Sequence, residues 1–272
     1  MNPPIGDYWA KLQRNADTGA IEAWHPLTHH CADVAAVMEA LLRVPVIRSR
    51  LATLGDRKTL TEVDTARLCV LAALHDAGKV NHGFQAKSDL NARGEWAGHV
   101  QEIIALLFGS QWELTSLAVD ALRLRELCSW FEGEESLTAY LAAAFAHHGS
   151  PAHVAGAPPA RKAIWEARAE RGPMQGLKAL LEHAKVWFPE AFDSATSLPS
   201  NEPFVHGFTG LLMLADWIAS DASDQAFPYS EDGTSAVQRM AFARGRAARV
   251  VQSLGLDPAL FRDVLEGKRV SF

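Results

Sequence analysis

The sequence predicts an all-α protein folded as one globular domain over residues 1–272. Apolar residues recur at helical spacing along most of the chain, and no stretch of useful length shows the alternation typical of a strand. No linker separates two autonomous halves. Hydrophobic residues make up 48% of the chain and charged residues 21%, which is ordinary for a globular protein.

The first predicted helix covers residues 30–42. An apolar stripe that begins at His30 and continues through Val34 runs along one face of this helix. His29 lies in register with Asp33 instead. We therefore expect His30 to face the core and His29 to face outward.

Two further helices are predicted to end at glycines. Residues 66–77 are apolar almost all round, so they predict a central buried helix that stops at Gly78. Residues 99–108 carry an apolar stripe and end at Gly109. Six more helices are predicted over residues 114–130, 137–148, 159–171, 174–187, 207–221 and 235–254. The connections carry the Pro, Gly, Asn and Ser that favour loops.

Net charge and hydropathy indicate which nucleic-acid or membrane partners the protein can have. The net charge of −6 argues against a general affinity for nucleic acid. A C-terminal basic segment, residues 235–272, holds seven basic and three acidic residues. We interpret it as a solvated helix face, with a docking patch for a phosphate backbone as the alternative. The apolar runs are too short to span a bilayer and no secretion signal is present, so we expect a cytoplasmic protein without a membrane partner.

Seven imidazole and carboxylate side chains are dispersed along the chain, each in or beside a predicted helix. They are His30, His75, Asp76, His99, His147, His148 and Asp216. Together these groups suit borderline and hard divalent metals, and seven can hold two ions with a bridging carboxylate. Two adjacent ions in a helical cage indicate hydrolysis of a phosphate ester.

The pair His75-Asp76 is the strongest element of this set. It follows an apolar helix, where an adjacent imidazole and carboxylate are costly unless they are paired or bound to metal. Neighbours on a helix point about 100° apart, so His75 can face one ion while Asp76 bridges to a second. A simple hydrogen-bonded pair is the alternative. Lys79 lies close by and would neutralise a substrate phosphate, unless it is an ordinary solvated lysine.

The remaining candidate ligands are identified by the apolar sequence around them. His147 and His148 follow a helix of small residues, and Asp216 interrupts an apolar run where a carboxylate needs a cation or a hydrogen-bond partner. His99 precedes an apolar stripe and fits either a core histidine or a ligand. Five histidines lack this register and are interpreted as non-ligands, namely His25, His82, His153, His183 and His206.

The ordered pattern H, HD, H, HH, D resembles the HD phosphohydrolase superfamily. Four local words make the chain similar to the HD nuclease domain of the CRISPR-associated nuclease-helicase of type I interference. They are WHPLTHHCADVA (24–35), HDAGKVNHGFQAK (75–87), AFAHHG (144–149) and LADWIASD (214–221). Phe84-Gln85, Asp216-Trp217 and Ser220-Asp221 distinguish this family from generic HD hydrolases. The resemblance covers about residues 24–221, which we take as the core around the metal site.

The resemblance implies a two-metal nuclease that cleaves single-stranded DNA displaced by an RNA-guided surveillance complex. One ion would be held by His30, His75, Asp76 and Asp216, and the other by Asp76, His99, His147 and His148. Asp76 would bridge, Lys79 would lie beside the scissile phosphate, and Ser220 would contact the substrate. Mixed imidazole and carboxylate ligation suits Mn, Fe, Co or Ni, with Mg as a further candidate.

Alternatives remain open for the partner protein and for the substrate. No G-x-x-x-x-G-K-[ST] word occurs, so the helicase would be a separate subunit or another domain of a longer polypeptide. DNA binding would then use a local groove with the basic residues 239–249. The same metal site also fits an HD nucleotidase or cyclic-nucleotide phosphodiesterase. A third possibility is a non-catalytic, metal-stabilised scaffold that recruits a helicase.

Overall fold

Helices form most of the structure, which confirms the predicted all-α class. The computed structural model describes residue 3 and residues 7–149, 154–169, 171–193, 196–229 and 234–257. In chain order, the helices of these residues are α1 (Leu27–Arg43), α2 (Pro45–Leu54), α3 (Glu62–Ala73), α4 (His82–Gln85), α5 (Val100–Phe108), α6 (Trp112–Ala121), α7 (Leu124–Leu127), α8 (Glu134–Phe145), α9 (Lys162–Trp165), α10 (Pro173–Trp187), α11 (Glu202–Ala219) and α12 (Ala236–Ser253). None of them is both long and apolar enough to cross a bilayer.

A two-stranded antiparallel hairpin precedes the helices, so the prediction of no strand is wrong here. Strand β1 (Trp9–Arg14) pairs with β2 (Ile21–Pro26), and β2 leads directly into α1. The register shifts twice, once between Trp9 and Lys11, which removes the strict alternation that reveals a strand in a sequence.

Helix α1 lies at the centre and packs against α3, α11 and α12. These neighbours bury it on nearly all sides, including Ala36 and Ala40 on the face expected to be solvated. The expectation that His29 faces outward is therefore wrong. His29 is buried and its Nε2 lies 2.9 Å from the carbonyl oxygen of Thr234, just before α12.

Several helix boundaries differ from the predictions. The stretch 114–130 is interrupted at Arg123, whose φ of 47° is left-handed and stops the helix. Among the described residues of the stretch 159–171, only α9 is helical, and the following carbonyl of Glu166 accepts a hydrogen bond from the imidazole of His82. Helix α2, which begins at Pro45, was not predicted.

Helix α12 is held to α1 by a buried ion pair. The guanidinium of Arg239 donates to Asp33 through Nε at 2.8 Å and Nη2 at 2.5 Å, and both side chains are buried. His25 Nε2 lies 2.9 Å from the same carboxylate. Burial lowers the pKa of His25 to about 4 even though Asp33 opposes the shift, so its imidazole is neutral at pH 7.

This pairing corrects the interpretation of the C-terminal basic segment. Arg239 belongs neither to a solvated face nor to a DNA-docking patch, because it is buried against Asp33. Arg244 bonds to Glu39 at 2.7 Å, whereas Arg249 is exposed. Arg246 donates to the carbonyl of Asp224 at 2.7 Å. The remaining three basic residues of this segment, Arg262, Lys268 and Arg269, lie outside the described residues.

We expect Arg239→Met to lower the free energy of unfolding by about 3–5 kcal/mol, because Asp33 would stay buried without the guanidinium. Urea unfolding followed by circular dichroism measures this loss. Arg249→Met makes the same change at an exposed position of α12 and should alter stability by less than about 0.5 kcal/mol. Equal unfolding midpoints for the two variants would contradict the structural role of Arg239.

Candidate metal centre

The seven predicted ligands come from five separate places in the chain and converge at one point. They lie on α1 (His30), in the turn after α3 (His75 and Asp76), just before α5 (His99), in the turn after α8 (His147 and His148) and near the end of α11 (Asp216). Three overlapping groups of these side chains bring ligand atoms within 4.8 Å of one another. The predicted convergence is therefore present in the structure.

Asp76 lies in the middle of the cluster and is only 1% exposed. Its Oδ2 lies 3.3 Å from the Nε2 atoms of both His30 and His75. Its Oδ1 lies 3.2 Å from Nε2 of His99 and 3.7 Å from Nε2 of His147. The two oxygens thus face two different sets of imidazoles.

Asp216 closes the cluster from α11. Its Oδ1 lies 3.2 Å from Nε2 of His30 and 3.8 Å from Nε2 of His75. Its Oδ2 lies 4.0 Å from Nε2 of His147. The side chain is 14% exposed, so this edge of the centre is open to solvent.

The donor atoms fit a metal because most of them have no hydrogen-bond partner in the described residues. Nε2 of His30, His75 and His147 and Oδ1 of Asp76 are buried and lack such partners there, whereas Oδ2 of Asp76 faces the ammonium group of Lys79. Buried polar atoms in this state are destabilising unless an ion or water satisfies them. Nδ1 of His75 donates to the carbonyl of Ala72 at 2.7 Å, and Nδ1 of His147 donates to that of Ala144 at 3.0 Å. These bonds leave both Nε2 lone pairs directed inward, as metal ligation requires.

The outer edge of the cluster is formed by His99 and His148. Their Nε2 atoms lie 3.0 Å apart, and both side chains group with His147 as candidate ligands. His148 is exposed, in contrast to its neighbour. The helix predicted over 137–148 ends at Phe145, so both histidines lie in a turn rather than on one helical face.

The charge states of His147 and Asp76 suit ligation. Burial and, to a smaller extent, the nearby His75 lower the pKa of His147 to about 3, so this imidazole is neutral at pH 7. Burial raises the pKa of Asp76, but Lys79 and His75 more than offset it and hold the pKa well below its usual value. Metals bind neutral imidazoles and ionised carboxylates.

Gly78 allows the turn after α3 to approach His99. A Cβ at this position would overlap the carbonyl oxygen of His99 and lie 2.8 Å from its carbonyl carbon. The next turn is fixed by Asn81, whose side chain donates to the carbonyls of Gly78 and Gly98 at 2.7 and 2.8 Å. The glycine of the HD word therefore sets the distance between Asp76 and His99.

Lys79 is buried beside the cluster. Its Nζ lies 2.6 Å from Oδ2 of Asp76 and donates to the carbonyl of Ala10 on β1 at 3.2 Å. The interpretation of Lys79 as an ordinary solvated lysine is therefore wrong. Gln85 completes the attachment of the hairpin, because its side-chain amide exchanges hydrogen bonds with the backbone of Trp9.

Ser220 lies one turn after Asp216. Its hydroxyl contacts the Asp216 carbonyl at 2.5 Å and Oδ1 at 3.2 Å, and it accepts a hydrogen bond from Nζ of Lys11. The sequence analysis missed Lys11, because it lies in a strand that the pattern did not predict. Burial lowers the pKa of Lys11, whereas Asp216 opposes that shift.

The described histidines interpreted as non-ligands lie outside these groups. His25 contacts Asp33, His82 contacts the Glu166 carbonyl, and His183 stacks on Trp187. His206 lines an apolar cavity of about 440 Å³ between α8 and α11. His153 lies outside the described residues.

The apolar cavity lies beside the centre rather than in it. Gly149, which follows His148, and Met213, which precedes Asp216 by one turn, both line it. None of the seven candidate ligands does.

A helical cage with an HD pair at its centre and histidines from three further segments defines an HD-domain protein. The chain belongs to the Cas3 HD-domain family, whose model matches residues 9–224. The resemblance seen in the sequence is confirmed.

Curated and solved relatives agree with this assignment. The chain is 31% identical over 220 residues to the CRISPR-associated endonuclease/helicase Cas3 of Thermus thermophilus, covering 77% of this chain and 22% of the relative. It therefore spans about a fifth of that protein. The Thermus thermophilus Cas3 HD domain, solved in the presence of Ni²⁺, matches with a TM-score of 0.55 and 28% identity over 86% of each chain.

A more distant structure shares the fold. T. fusca Cas3 matches with a TM-score of 0.62 at 20% identity, covering 95% of this chain and 28% of that one. A CRISPR RNA-guided surveillance complex, pre-nicking, contains a chain that matches with a TM-score of 0.57 at 21% identity, over 97% of this chain and 29% of that one.

We expect Gly78→Ala to displace His99 and to reduce metal uptake, with a loss of stability of about 1–3 kcal/mol from the overlap. Metal content after dialysis and thermal unfolding measure the two effects. Gly210→Ala is the matched control. Gly210 lies on α11, and a Cβ added there would have no neighbouring atom within 4 Å. This variant should keep full metal uptake, and its free energy of unfolding should rise by up to about 1 kcal/mol because alanine favours a helix more than glycine does. Full metal uptake by Gly78→Ala would contradict the role of this glycine.

Proposed function

We propose that this chain is a metal-dependent nuclease of CRISPR interference that cleaves single-stranded DNA with two metal ions. The observation that carries the proposal is the set of buried imidazole nitrogens that face Asp76 and lack hydrogen-bond partners among the described residues. The curated relative is named an endonuclease/helicase, which supports DNA cleavage by this family member.

The ligand sets follow from the two sides of Asp76. In our proposal His30, His75, Asp76 and Asp216 would hold one ion, and Asp76, His99, His147 and His148 would hold the other. The related HD domain was solved in the presence of Ni²⁺, which supports a first-row transition metal. Manganese, iron, cobalt and nickel all suit this donor set, and magnesium is the remaining candidate.

Two bound divalent ions would activate a water for in-line attack on phosphorus and stabilise the charge that develops on the phosphate oxygens. The protein contributes position and charge. Asp76 and Asp216 hold their negative charge because His30, His75 and Lys79 surround them. Lys79 fixes Asp76 at 2.6 Å and adds positive charge beside the proposed phosphate position.

The proposal also covers the substrate and the partner proteins. An open edge at Asp216 suits a continuous strand better than a single enclosed nucleotide. The lengths and names of the relatives support a helicase, in the same polypeptide or a separate one, and an RNA-guided surveillance complex as partners. Ser220, at the same open edge, remains our predicted substrate contact.

The substrate is tested by incubating metal-reconstituted protein with circular single-stranded DNA, linear single-stranded DNA, duplex DNA and free nucleotides. We expect both single-stranded forms to be degraded and EDTA to stop the reaction. Hydrolysis of free nucleotides alone would favour a nucleotidase. Full metal occupancy without cleavage of any of them would favour the scaffold.

The Asp76→Ala variant tests whether Asp76 bridges two metal ions. We expect loss of both ions and a fall in cleavage of more than about 100-fold, which exceeds the effect of losing a residue that only supports a ligand. Metal analysis and initial rates measure the change. Asp120→Ala removes a carboxylate from the exposed side of α6 and should behave like the parent protein. Full manganese-dependent activity in Asp76→Ala would refute the assignment.

A further inference from the structure

We propose that Lys11 binds the phosphodiester next to the scissile one, so that the β1–β2 hairpin forms one side of the path of the DNA strand. This inference rests on the proposed nuclease function and adds a residue to its substrate site. The residue lies on β1, outside the seven candidate ligands, and no pattern in the sequence points to it.

The first argument is the partner of its ammonium group. Lys11 is half-buried, and its Nζ donates to the hydroxyl of Ser220. No carboxylate of the described residues lies within salt-bridge distance of it, whereas Lys79 is paired directly with Asp76. A partly buried ammonium held only by a neutral hydroxyl is a favourable place for an anion.

The second argument is the charge of the centre. Its two carboxylates, Asp76 and Asp216, are matched by the two ammonium groups of Lys11 and Lys79. With neutral imidazoles, the positive charge of any bound divalent ions would therefore remain uncompensated by the protein. A strand with successive phosphates supplies the missing negative charge better than a single phosphate does.

The third argument is position. Ser220 links Lys11 to Asp216, since its hydroxyl contacts Oδ1 at 3.2 Å, and the Asp216 side chain is 14% exposed. Lys79 lies against Asp76, which is only 1% exposed. The reacting phosphate belongs between the ligands, close to Lys79, so Lys11 is placed to reach the neighbouring phosphate at the open edge.

The fourth argument is that Lys11 is held in place. Lys79 donates to the carbonyl of Ala10, and Gln85 bonds to both backbone groups of Trp9. The two residues that precede Lys11 are therefore attached to the HD turn. Its ammonium group is prepositioned, which reduces the entropy lost when a strand binds.

The test compares Lys11→Gln, Lys11→Arg and Lys58→Gln. Lys58 is exposed and lies just before α3, at the opposite end of that helix from His75 and Asp76, so its variant controls for loss of one positive charge. Fluorescence anisotropy with a labelled linear oligothymidylate in EDTA measures affinity over a salt series. Thermal unfolding checks that each variant is folded.

We expect Lys11→Gln to weaken binding about tenfold and to lower the slope of log affinity against log salt by about 0.7, the value for one phosphate contact on a single strand. Lys11→Arg should restore both, and Lys58→Gln should match the parent protein. Unchanged affinity and slope in folded Lys11→Gln, or an equal loss in Lys58→Gln, would overturn the proposal.

Kinetics with manganese distinguish the neighbouring phosphate from the reacting one. Lys11→Gln should raise KM for linear single-stranded DNA with little change in kcat. Hydrolysis of bis(p-nitrophenyl) phosphate, which has one phosphodiester and no neighbour, should be unchanged. An equal loss with this small ester would overturn the assignment. If the parent protein binds the strand through Lys11 but cleaves neither substrate, the nuclease proposal fails while the binding site stands.

Discussion

The structure depends on one buried carboxylate. An ionised Asp76 in the interior is strongly destabilising unless positive charge and polar groups surround it, and four chain segments bring such groups to it. Lys79 contributes the direct ion pair, and His30, His75, His99 and His147 face its two oxygens. The helices around this point are arranged so that their ends, rather than their middles, supply most of the cluster. The fold thus keeps apolar helix bodies in the core and collects its polar atoms at one place.

A second buried charge lies close to the first on α1. His30 faces the metal centre, and Asp33, nearly one turn later, binds Arg239 of α12 and His25 of β2. Because both charged networks use the same helix, the orientation of α1 about its own axis is fixed at two neighbouring positions. The hairpin is held in the same way, through Lys79 and Gln85 on one side and His25 on the other. The position of every ligand therefore relies on contacts between distant parts of the sequence.

The sequence allowed the all-α class and the convergence of all seven candidate ligands to be predicted, because polar residues within apolar helical runs are costly unless they have a partner. The prediction failed for residues whose partners lie far away in the sequence. Asp33 and His29 look solvated in the sequence because the partners that bury them, Arg239 and Thr234, lie 206 and 205 residues later. The hairpin was missed because its register shifts erase the alternation. Lys11 carried no signal of its own, since a single lysine in an irregular strand looks like any surface cation.

The wide spacing of the cluster along the chain has a consequence for the protein during its synthesis. The candidate ligands extend from His30 to Asp216, and α12, which covers α1, follows still later. A nascent chain that ends before α11 lacks one wall of the cage and leaves α1 uncovered. The candidate metal centre can therefore assemble only when nearly the whole domain has emerged from the ribosome, and a translation product that stops before α11 cannot form it.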